Sequence, residues 1–155
     1  MQIILANKSH FPQILEVWKE FMDYHKSLDL FFNRRENGHL NFEKYICELI
    51  NSNEGQVLVA LEDYMVVGYS IALIQYYPPV FNSNTYGLIN DLAISESHRR
   101  KGIGEQMLVR MFEWFKIQGL DRIELRVAVN NQIGYSFWKK HGFKDYLHVL
   151  YIQRG

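Results

Sequence analysis

The sequence lacks the features that mark several classes of protein. Its single cysteine, Cys47, cannot form an internal disulfide and is typical of a reducing compartment. Its 17 basic and 17 acidic residues leave no net charge, so the composition predicts no attraction to nucleic acid or to an anionic membrane. No apolar run approaches the roughly 20 residues of a membrane-spanning helix, and residues 1–8 lack the layout of a signal peptide. The single cysteine and the missing apolar segments lead us to expect a cytoplasmic protein. The histidines show no metal-ligand spacing, so we expect no metal site.

The apolar residues that are present recur with helical and strand periods along the chain. This pattern predicts one α/β domain over residues 1–155, with hairpin-like strands in the first half and a strand–helix–strand crossover in the second. Strands are expected at residues 1–8, 56–61, 65–75, 86–94, 122–129 and 144–152, and helices at residues 11–22, 42–50, 102–118 and 133–140.

A basic turn with two glycines separates the strand at residues 86–94 from the helix at residues 102–118. Its sequence is Arg99-Arg100-Lys101-Gly102-Ile103-Gly104. Glycine lets the backbone turn tightly, and the first N–H groups of a helix lack an internal acceptor and carry the positive end of the helix dipole. The turn therefore predicts a phosphate site. It is not a P-loop, and Met107 replaces the third glycine of a dinucleotide turn, which leaves a nucleotide as an alternative ligand.

The same turn matches a family signature. Arg99, Gly102 and Gly104 fit the pattern R-x-x-G-x-G, which resembles the acetyl-CoA signature of the GNAT superfamily of N-acetyltransferases. Residues 131–143 are similar to a second family pattern, N-x-x-A-x-x-F-Y-x-x-x-G-F. The matching residues of this second pattern are Asn131, Phe137, Gly142 and Phe143, and the departures are Gly134 for alanine and Trp138 for tyrosine.

The resemblance implies the GNAT fold, an α/β (α+β) arrangement with a mixed, mostly antiparallel sheet of about six to seven strands flanked by about four helices. It also implies that acetyl-CoA lies in a gap between the strands at residues 86–94 and 122–129. Its pantetheine arm would pair with the main chain at Leu92 and Ile94, and its pyrophosphate would contact the amides that follow Arg99. The implied cofactor-binding residues are Leu92, Ala93, Ile94, Arg99, Arg100, Lys101, Gly102, Ile103, Gly104, Glu105, Asn131, Tyr135 and Trp138.

Acetyl transfer to an amine requires a group that accepts a proton from the amine and one that protonates the leaving thiolate. Asp91 precedes the implied cofactor strand edge and is the candidate base; its alternative role is a structural carboxylate. Asn90 lies on the opposite face of an ideal strand, and the sequence leaves open which of the two meets the cleft. Trp138 cannot transfer its indole proton near neutral pH, so Tyr135, one helical turn away, is the candidate acid, with packing beside the cofactor as its alternative.

The acceptor site is expected in the irregular part of the chain. His25 and Asp29 are four residues apart and could meet on a helical turn, and Tyr77 could form an aromatic wall. The predicted function is transfer of an acetyl group from acetyl-CoA to a primary amine of a small molecule or peptide, by direct attack in a ternary complex. The alternative is a non-catalytic CoA-binding or regulatory module. A homodimer is expected from the resemblance alone.

Overall fold

A computed structural model describes residues 1–155 as a five-stranded sheet with helices on both faces. The strands lie in sequence order, and all neighbours are antiparallel except the last two, which are parallel. The strands are β1 (Gln2–Leu5), β2 (Gly55–Glu62), β3 (Met65–Tyr76), β4 (Thr85–Ile94) and β5 (Ile123–Leu125). The helices are α1 (Phe11–Leu28), α2 (Gly38–Ile50), α3 (Ile103–Ile117) and α4 (Gln132–Lys140).

Two apolar cores share the central strands of the sheet. In β2, Val57 and Val59 face α1 and α2, whereas Leu58 and Ala60 face α3, because successive side chains of a strand point to opposite faces. All four are buried, which explains why this strand reads as a continuous apolar run instead of an alternating one. The central strands therefore tie both helical layers into one structure.

A β-bulge interrupts the alternation of side chains in β4. Ile71 of β3 is opposite Asp91, and the next residue, Ala72, is opposite Ile89, so Asn90 is the extra residue. Ile89 consequently packs on the α3 face, whereas Asp91 lies beside Tyr69 on the face covered by α1 and α2. The bulge thus places Asp91 on the opposite face from the one that regular alternation would give it.

The predicted fold class is confirmed, with differences in strand number and length. Each of the four expected helices is present, and α1 runs six residues beyond the expected end at Met22, to Leu28. The expected count of six to seven strands is wrong, because the sheet has five. The strand expected at residues 122–129 is limited to Ile123–Leu125, which pair with β4 alone. The strand expected at residues 144–152 does not form, because the backbone groups of this segment make no hydrogen bonds to a neighbouring strand.

None of the helices combines the length and the apolar character that a membrane crossing requires.

Candidate functional site

The turn before α3 presents a row of free backbone N–H groups. Arg100 and Gly102 have φ angles of +62° and +78°, so the chain makes a left-handed turn just before the helix begins. Going along the chain from this turn, the first backbone amide that makes a helical hydrogen bond is that of Gln106, which donates to the Gly102 carbonyl over 3.2 Å. The amides of residues 101–105 donate to no protein acceptor. Five adjacent donors at a helix N-terminus form a site whose chemistry fits a phosphate or pyrophosphate group.

Charged side chains around this turn leave its centre cationic. Arg100 and Lys101 are exposed and form no ion pair, whereas the Arg99 Nε donates to the Ile94 carbonyl over 3.3 Å. Glu105 is the one acidic residue in the first turn of α3, and the Lys140 Nζ lies 2.7 Å from its carboxylate. The hydrogen bond from Lys140 holds the pKa of Glu105 below its usual range. This pairing offsets a negative charge that would otherwise repel an anion at the turn.

The strands β4 and β5 separate beyond a short paired region. Their parallel register covers only Gly87 to Ile89 of β4, opposite β5. The following five residues of β4, Asn90–Ile94, have no strand on that side, and they lead directly towards the turn at residues 99–105. The splay expected from the resemblance is therefore present, and Leu92, Ala93 and Ile94 lie along its edge.

Asp91 lies in a crowded polar environment at the start of this unpaired edge. The Tyr69 hydroxyl donates to its Oδ2 over 2.8 Å, and the Asn90 Nδ2 donates to its Oδ1 over 3.3 Å. Burial raises the pKa of Asp91, and the hydrogen bond from Tyr69 and the nearby His25 partly oppose this effect. A carboxylate whose pKa is raised accepts a proton more readily near neutral pH than an exposed one does.

His25 faces the Asp91 region with its tautomer fixed. Its Nδ1 lies 2.9 Å from the Phe21 carbonyl oxygen. A carbonyl oxygen only accepts hydrogen bonds, so Nδ1 must carry a proton, and in the neutral ring Nε2 is the unprotonated nitrogen. The Phe21 ring packs at 4.4 Å from the imidazole, and the Phe32 ring packs at 5.7 Å. His25 thus combines an aromatic surface with one available acceptor atom.

Asn131 connects α4 to α1 across the splay. It is the N-cap of α4, and its buried Oδ1 accepts the Gly134 N–H over 2.9 Å and the Tyr24 hydroxyl over 2.8 Å. A Cβ at position 134 would lie 2.5 Å from the Asn131 Nδ2, so an alanine here would require the Asn131 side chain to shift. The Tyr24 ring also lies 5.6 Å from the Arg99 guanidinium, so Tyr24 contacts both walls of the splay.

Trp138 and Tyr135, the other two predicted cofactor-binding residues near α4, have different environments. Trp138 is half-buried and packs against Phe137 and Phe143, with ring centroids 4.9 Å and 5.4 Å away. The Tyr135 hydroxyl donates to Asp145 over 2.9 Å, and this hydrogen bond is the main reason why the pKa of Tyr135 is raised. A raised pKa makes the Tyr135 hydroxyl a weaker acid, so its role as proton donor stays a prediction.

The predicted acceptor residues do not gather in one place. His25 and Asn90 lie beside Asp91, as described above. The Asp29 carboxylate instead caps the short turn at residues 30–32 by accepting the Phe31 N–H over 3.0 Å, and it lines a shallow surface pocket of about 560 Å³ with Asp23 and Lys26. No hydrogen bond or ion pair joins the side chains of His25 and Asp29, although the Asp29 N–H donates to the His25 carbonyl over 3.0 Å.

Tyr77 lies at the opposite end of β4 from Asp91. It follows the end of β3, whose Tyr76 is opposite Thr85 at the start of β4, six residues before Asp91. At about 3.3 Å per residue, this separation is roughly 20 Å. The Tyr77 ring stacks on Tyr86, and its hydroxyl donates to Glu124 of β5.

Two contacts of the site could not be found from the sequence. Tyr69 reaches Asp91 because the two strands pair with a specific register and a bulge, which no local pattern encodes. Tyr24 reaches Asn131 across 107 positions of the chain. The only local signal for Tyr24 is its place at the polar end of an amphipathic helix.

Comparison with known proteins identifies the family. A model of the Acetyltransferase (GNAT) family matches residues 14–143. The curated GCN5-related N-acetyltransferase 6, chloroplastic, of Arabidopsis thaliana is 36% identical over 62 residues, which cover 40% of this chain and 22% of that protein. The chain thus spans less than a quarter of that relative's length.

Two solved structures show the same fold. An aminoglycoside 6'-N-acetyltransferase from Acinetobacter haemolyticus has a TM-score of 0.79 at 17% identity, covering 100% of this chain and 99% of that chain. A predicted acetyltransferase from Clostridium acetobutylicum, solved with acetyl-CoA, has a TM-score of 0.81 at 17% identity, covering 98% of this chain and 95% of that chain. Together with the family match over most of the sequence, the free amides of the turn and the splayed strands lead to one conclusion: this chain belongs to the GNAT family of acetyltransferases.

Proposed function

We propose that this protein transfers an acetyl group from acetyl-CoA to a primary amine of a small molecule or peptide. The observation that carries the proposal is the stretch from Asp91 to Glu105. It begins at a carboxylate with a raised pKa, continues along a strand edge without a neighbour, and ends at a turn of free amides. A candidate base, an open strand edge for the cofactor arm and a candidate phosphate site therefore follow one another along the chain, which supports the proposal.

The turn would hold the pyrophosphate of the cofactor. The free amides of residues 101–105 supply donors, and Arg100 and Lys101 add charge without being neutralised by a neighbouring carboxylate. The edge from Leu92 to Ile94 would bind the pantetheine arm through main-chain groups. When bound, acetyl-CoA supplies the thioester whose acetyl group is transferred.

Asp91 would act as the general base. An ammonium has no lone pair, so its proton must leave before the nitrogen attacks the thioester carbonyl. The bulge at Asn90 and the hydrogen bond from Tyr69 hold the Asp91 carboxylate in place. As the new C–N bond forms and the C–S bond breaks, the proton from the amine is held at Asp91 and released to solvent.

The sulfur that leaves must gain a proton or depart as a thiolate. Tyr135 is the hydroxyl that we propose for this role, and Trp138 would shape the pocket next to the thiol end of the cofactor. If Tyr135 is the acid, Tyr135→Phe should lower kcat and leave the affinity for acetyl-CoA unchanged. If the hydroxyl only packs against Asp145, Tyr135→Phe should leave kcat unchanged.

The acceptor would enter from the side of α1 and α2. Asp91 attracts a cationic amine, and His25 and Asn90 offer polar contacts beside it. Asp29 and Tyr77 are more distant, and we assign them to outer parts of a larger acceptor. A small-molecule amine agrees with the aminoglycoside acceptors named for a protein of similar fold.

The proposal is tested by calorimetric titration of acetyl-CoA, with ATP and NADH as controls, followed by a thiol-release assay against a panel of amines. Selective binding of acetyl-CoA with amine-dependent thiol release is the expected result. Acetyl-CoA binding without release on any amine would favour a non-catalytic CoA-binding module. Preferential binding of ATP or NADH would contradict the cofactor assignment.

A further inference from the structure

A histidine in the loop between β4 and α3 lies between a carboxylate and two serine hydroxyls. The Nε2 of His98 is 3.0 Å from a carboxylate oxygen of Glu62, at the end of β2. On the other side of the ring, Nδ1 lies 2.8 Å from the Ser95 Oγ and 2.9 Å from the Ser97 Oγ. None of these four residues has a role in the proposed acetyl transfer, so the cluster requires an explanation of its own.

The contact with Glu62 determines which nitrogen of the His98 ring is free to accept a proton. An ionised carboxylate only accepts hydrogen bonds, so Nε2 must carry a proton. In the neutral ring Nδ1 is then unprotonated and accepts from a serine hydroxyl. A hydroxyl within hydrogen-bond reach of a base that a third group orients is the arrangement that activates serine as a nucleophile. The two ring nitrogens have exchanged places relative to the Ser-His-Asp triad, in which Nε2 faces the serine.

Carboxylates from two distant parts of the chain hold this loop in place. Glu20 of α1 accepts the Glu96 N–H over 3.0 Å, and Glu62 of β2 holds the His98 ring. The distance between His98 and the serine hydroxyls therefore does not depend on the loop alone. The His98 side chain is 27% exposed and Ser97 is exposed, so a molecule from solvent can reach both.

Ser97 is better placed than Ser95 to act as a nucleophile. Ser97 is exposed, whereas Ser95 is half-buried. The Ser97 N–H makes no hydrogen bond, because the Ser95 hydroxyl, two residues earlier, lies against His98 instead of accepting it. A free N–H on the nucleophile's own residue is one of the donors that stabilise the oxyanion in serine hydrolases.

We propose that Ser97 and His98 form a catalytic site, separate from the acetyl-transfer site, that hydrolyses small esters. The Ser97 Oγ attacks the ester carbonyl and passes its proton to the His98 Nδ1. The C–O bond to the alcohol then breaks, and the alcohol leaves with that proton. Water next gives a proton to Nδ1 and attacks the acyl-serine; the carboxylic acid is released and the serine hydroxyl is restored. Glu62 is a positioning residue that orients the ring and stabilises its charged form.

The surroundings of the cluster limit the substrate class. Met65 lies opposite Glu62 across the β2–β3 hairpin and is 57% exposed, so an apolar surface adjoins the carboxylate. Ser97 is itself at the surface, which leaves little room to hold a substrate beyond its reacting group. The site therefore suits esters with a short apolar acyl group. The proposal does not depend on acetyl transfer, because none of its steps uses acetyl-CoA.

The first test treats the unaltered protein with a fluorophosphonate, which reacts covalently with activated serines, and locates the label by mass spectrometry of peptides. We expect the label on Ser97, together with repeated turnover of p-nitrophenyl acetate by the same protein. An unlabelled Ser97 would overturn the proposal, and so would a label without ester turnover.

Matched variants identify the nucleophile and the base. Ser97→Ala should lose both the label and the ester hydrolysis, whereas Ser83→Ala, an exposed serine between β3 and β4, should keep both. His98→Gln should slow labelling by about 10²–10⁴-fold, the usual contribution of a general base. Ser95→Ala removes the competing hydroxyl and should not slow it. Loss of the label in Ser95→Ala with full labelling in Ser97→Ala would contradict the assignment. If a variant does not fold, the labelled peptide of the unaltered protein decides the question.

Two further measurements test the positioning role of Glu62. Nitrogen NMR of the neutral His98 ring should show Nδ1 unprotonated and Nε2 protonated, and a ring protonated at Nδ1 would overturn the proposed base. Glu62→Gln should slow the labelling of Ser97, because a neutral amide does not stabilise the charged ring. Glu62→Asp keeps the charge and should recover part of the rate. Equal rates in these two variants would show that the charge of Glu62 has no role in activating the serine, and would contradict the proposal.

Discussion

At the scale of single residues, the position of Asp91 is the feature with the clearest chemical consequences. Regular alternation would place it on the α3 face with Ile89, and one extra residue, Asn90, turns it to the face with Tyr69 and His25. Bulges often re-aim a side chain near an active site. Burial then raises the pKa of the carboxyl group, so one local irregularity determines both where the carboxylate lies and how basic it is.

Replacing Asp91 by asparagine should lower kcat by about 10²–10⁴-fold, the usual contribution of a general base. The affinity for acetyl-CoA should be unchanged, because Asp91 lies away from the phosphate turn. In the unaltered enzyme, activity should rise with pH through the raised pKa of Asp91, and this rise should disappear in the variant. Asp121→Asn, in the exposed loop before β5, is the control. A variant with the same pH profile as the unaltered protein would exclude Asp91 as the base.

The same substitution should increase stability at neutral pH. The pKa of the Asp91 carboxyl group is higher in the folded protein than in the unfolded chain, so the folded protein binds this proton more tightly. The resulting stabilisation is fully present below the pKa of an aspartate in the unfolded chain, about 3.9. That contribution is lost as the pH rises through the higher folded pKa. Asp91→Asn removes the cost of a buried charge and keeps an oxygen that accepts from Tyr69. Denaturant unfolding should show a difference in the free energy of unfolding at pH 7 that disappears in acid; a variant less stable at pH 7 would contradict this.

At the scale of secondary-structure elements, the glycines at the two ends of α3 allow the loss of phosphate binding to be separated from the backbone strain that any substitution of these glycines causes. Gly102 and Gly119 lie just outside its two ends, with φ angles of +78° and +75°, and a Cβ at either position would have no atom within 4 Å. Aspartate at either position should therefore cause similar backbone strain, of about 1 kcal/mol. Only the N-terminal position adjoins the free amides.

Gly102→Asp should consequently abolish acetyl-CoA binding, whereas Gly119→Asp should bind as the unaltered protein does. Calorimetric titration measures both, and thermal unfolding checks that the two variants lose a similar amount of stability. Equal affinity in the two variants would mean that the turn before α3 does not hold the phosphates.

At the scale of the whole molecule, the buried central strands should make unfolding cooperative. Both faces of β2 are buried, one against α1 and α2 and the other against α3. Losing either helical layer would expose these strands, so the two cores should not unfold separately.

Ile46→Ala and Met111→Ala remove fully buried side chains from the two cores. Each should lower the free energy of unfolding by about 2–5 kcal/mol. Each should also shift a single transition that circular dichroism and tryptophan fluorescence report at the same denaturant concentration. Two separate transitions in either variant would contradict this expectation.

The sequence by itself determined the elements and the phosphate turn. Apolar periodicity placed the four helices and the first strands, because periods of 3.6 and 2 depend only on local spacing. The turn from Arg99 to Gly104 could be identified because glycines and a helix N-terminus form an anion site from adjacent residues. The family resemblance likewise depended on two short segments.

Only the tertiary structure decided which residues meet. The face of Asp91 depends on the register between β3 and β4, and the contact of Tyr24 with Asn131 joins distant parts of the chain. Tyr77 is predicted to form an aromatic wall of the acceptor site because it adjoins the Pro78–Pro79 loop, and only strand pairing shows that it lies at the far end of β4 from Asp91. The strands predicted at residues 122–129 and 144–152 form only in part or not at all, because a strand requires a neighbour that its own sequence does not specify.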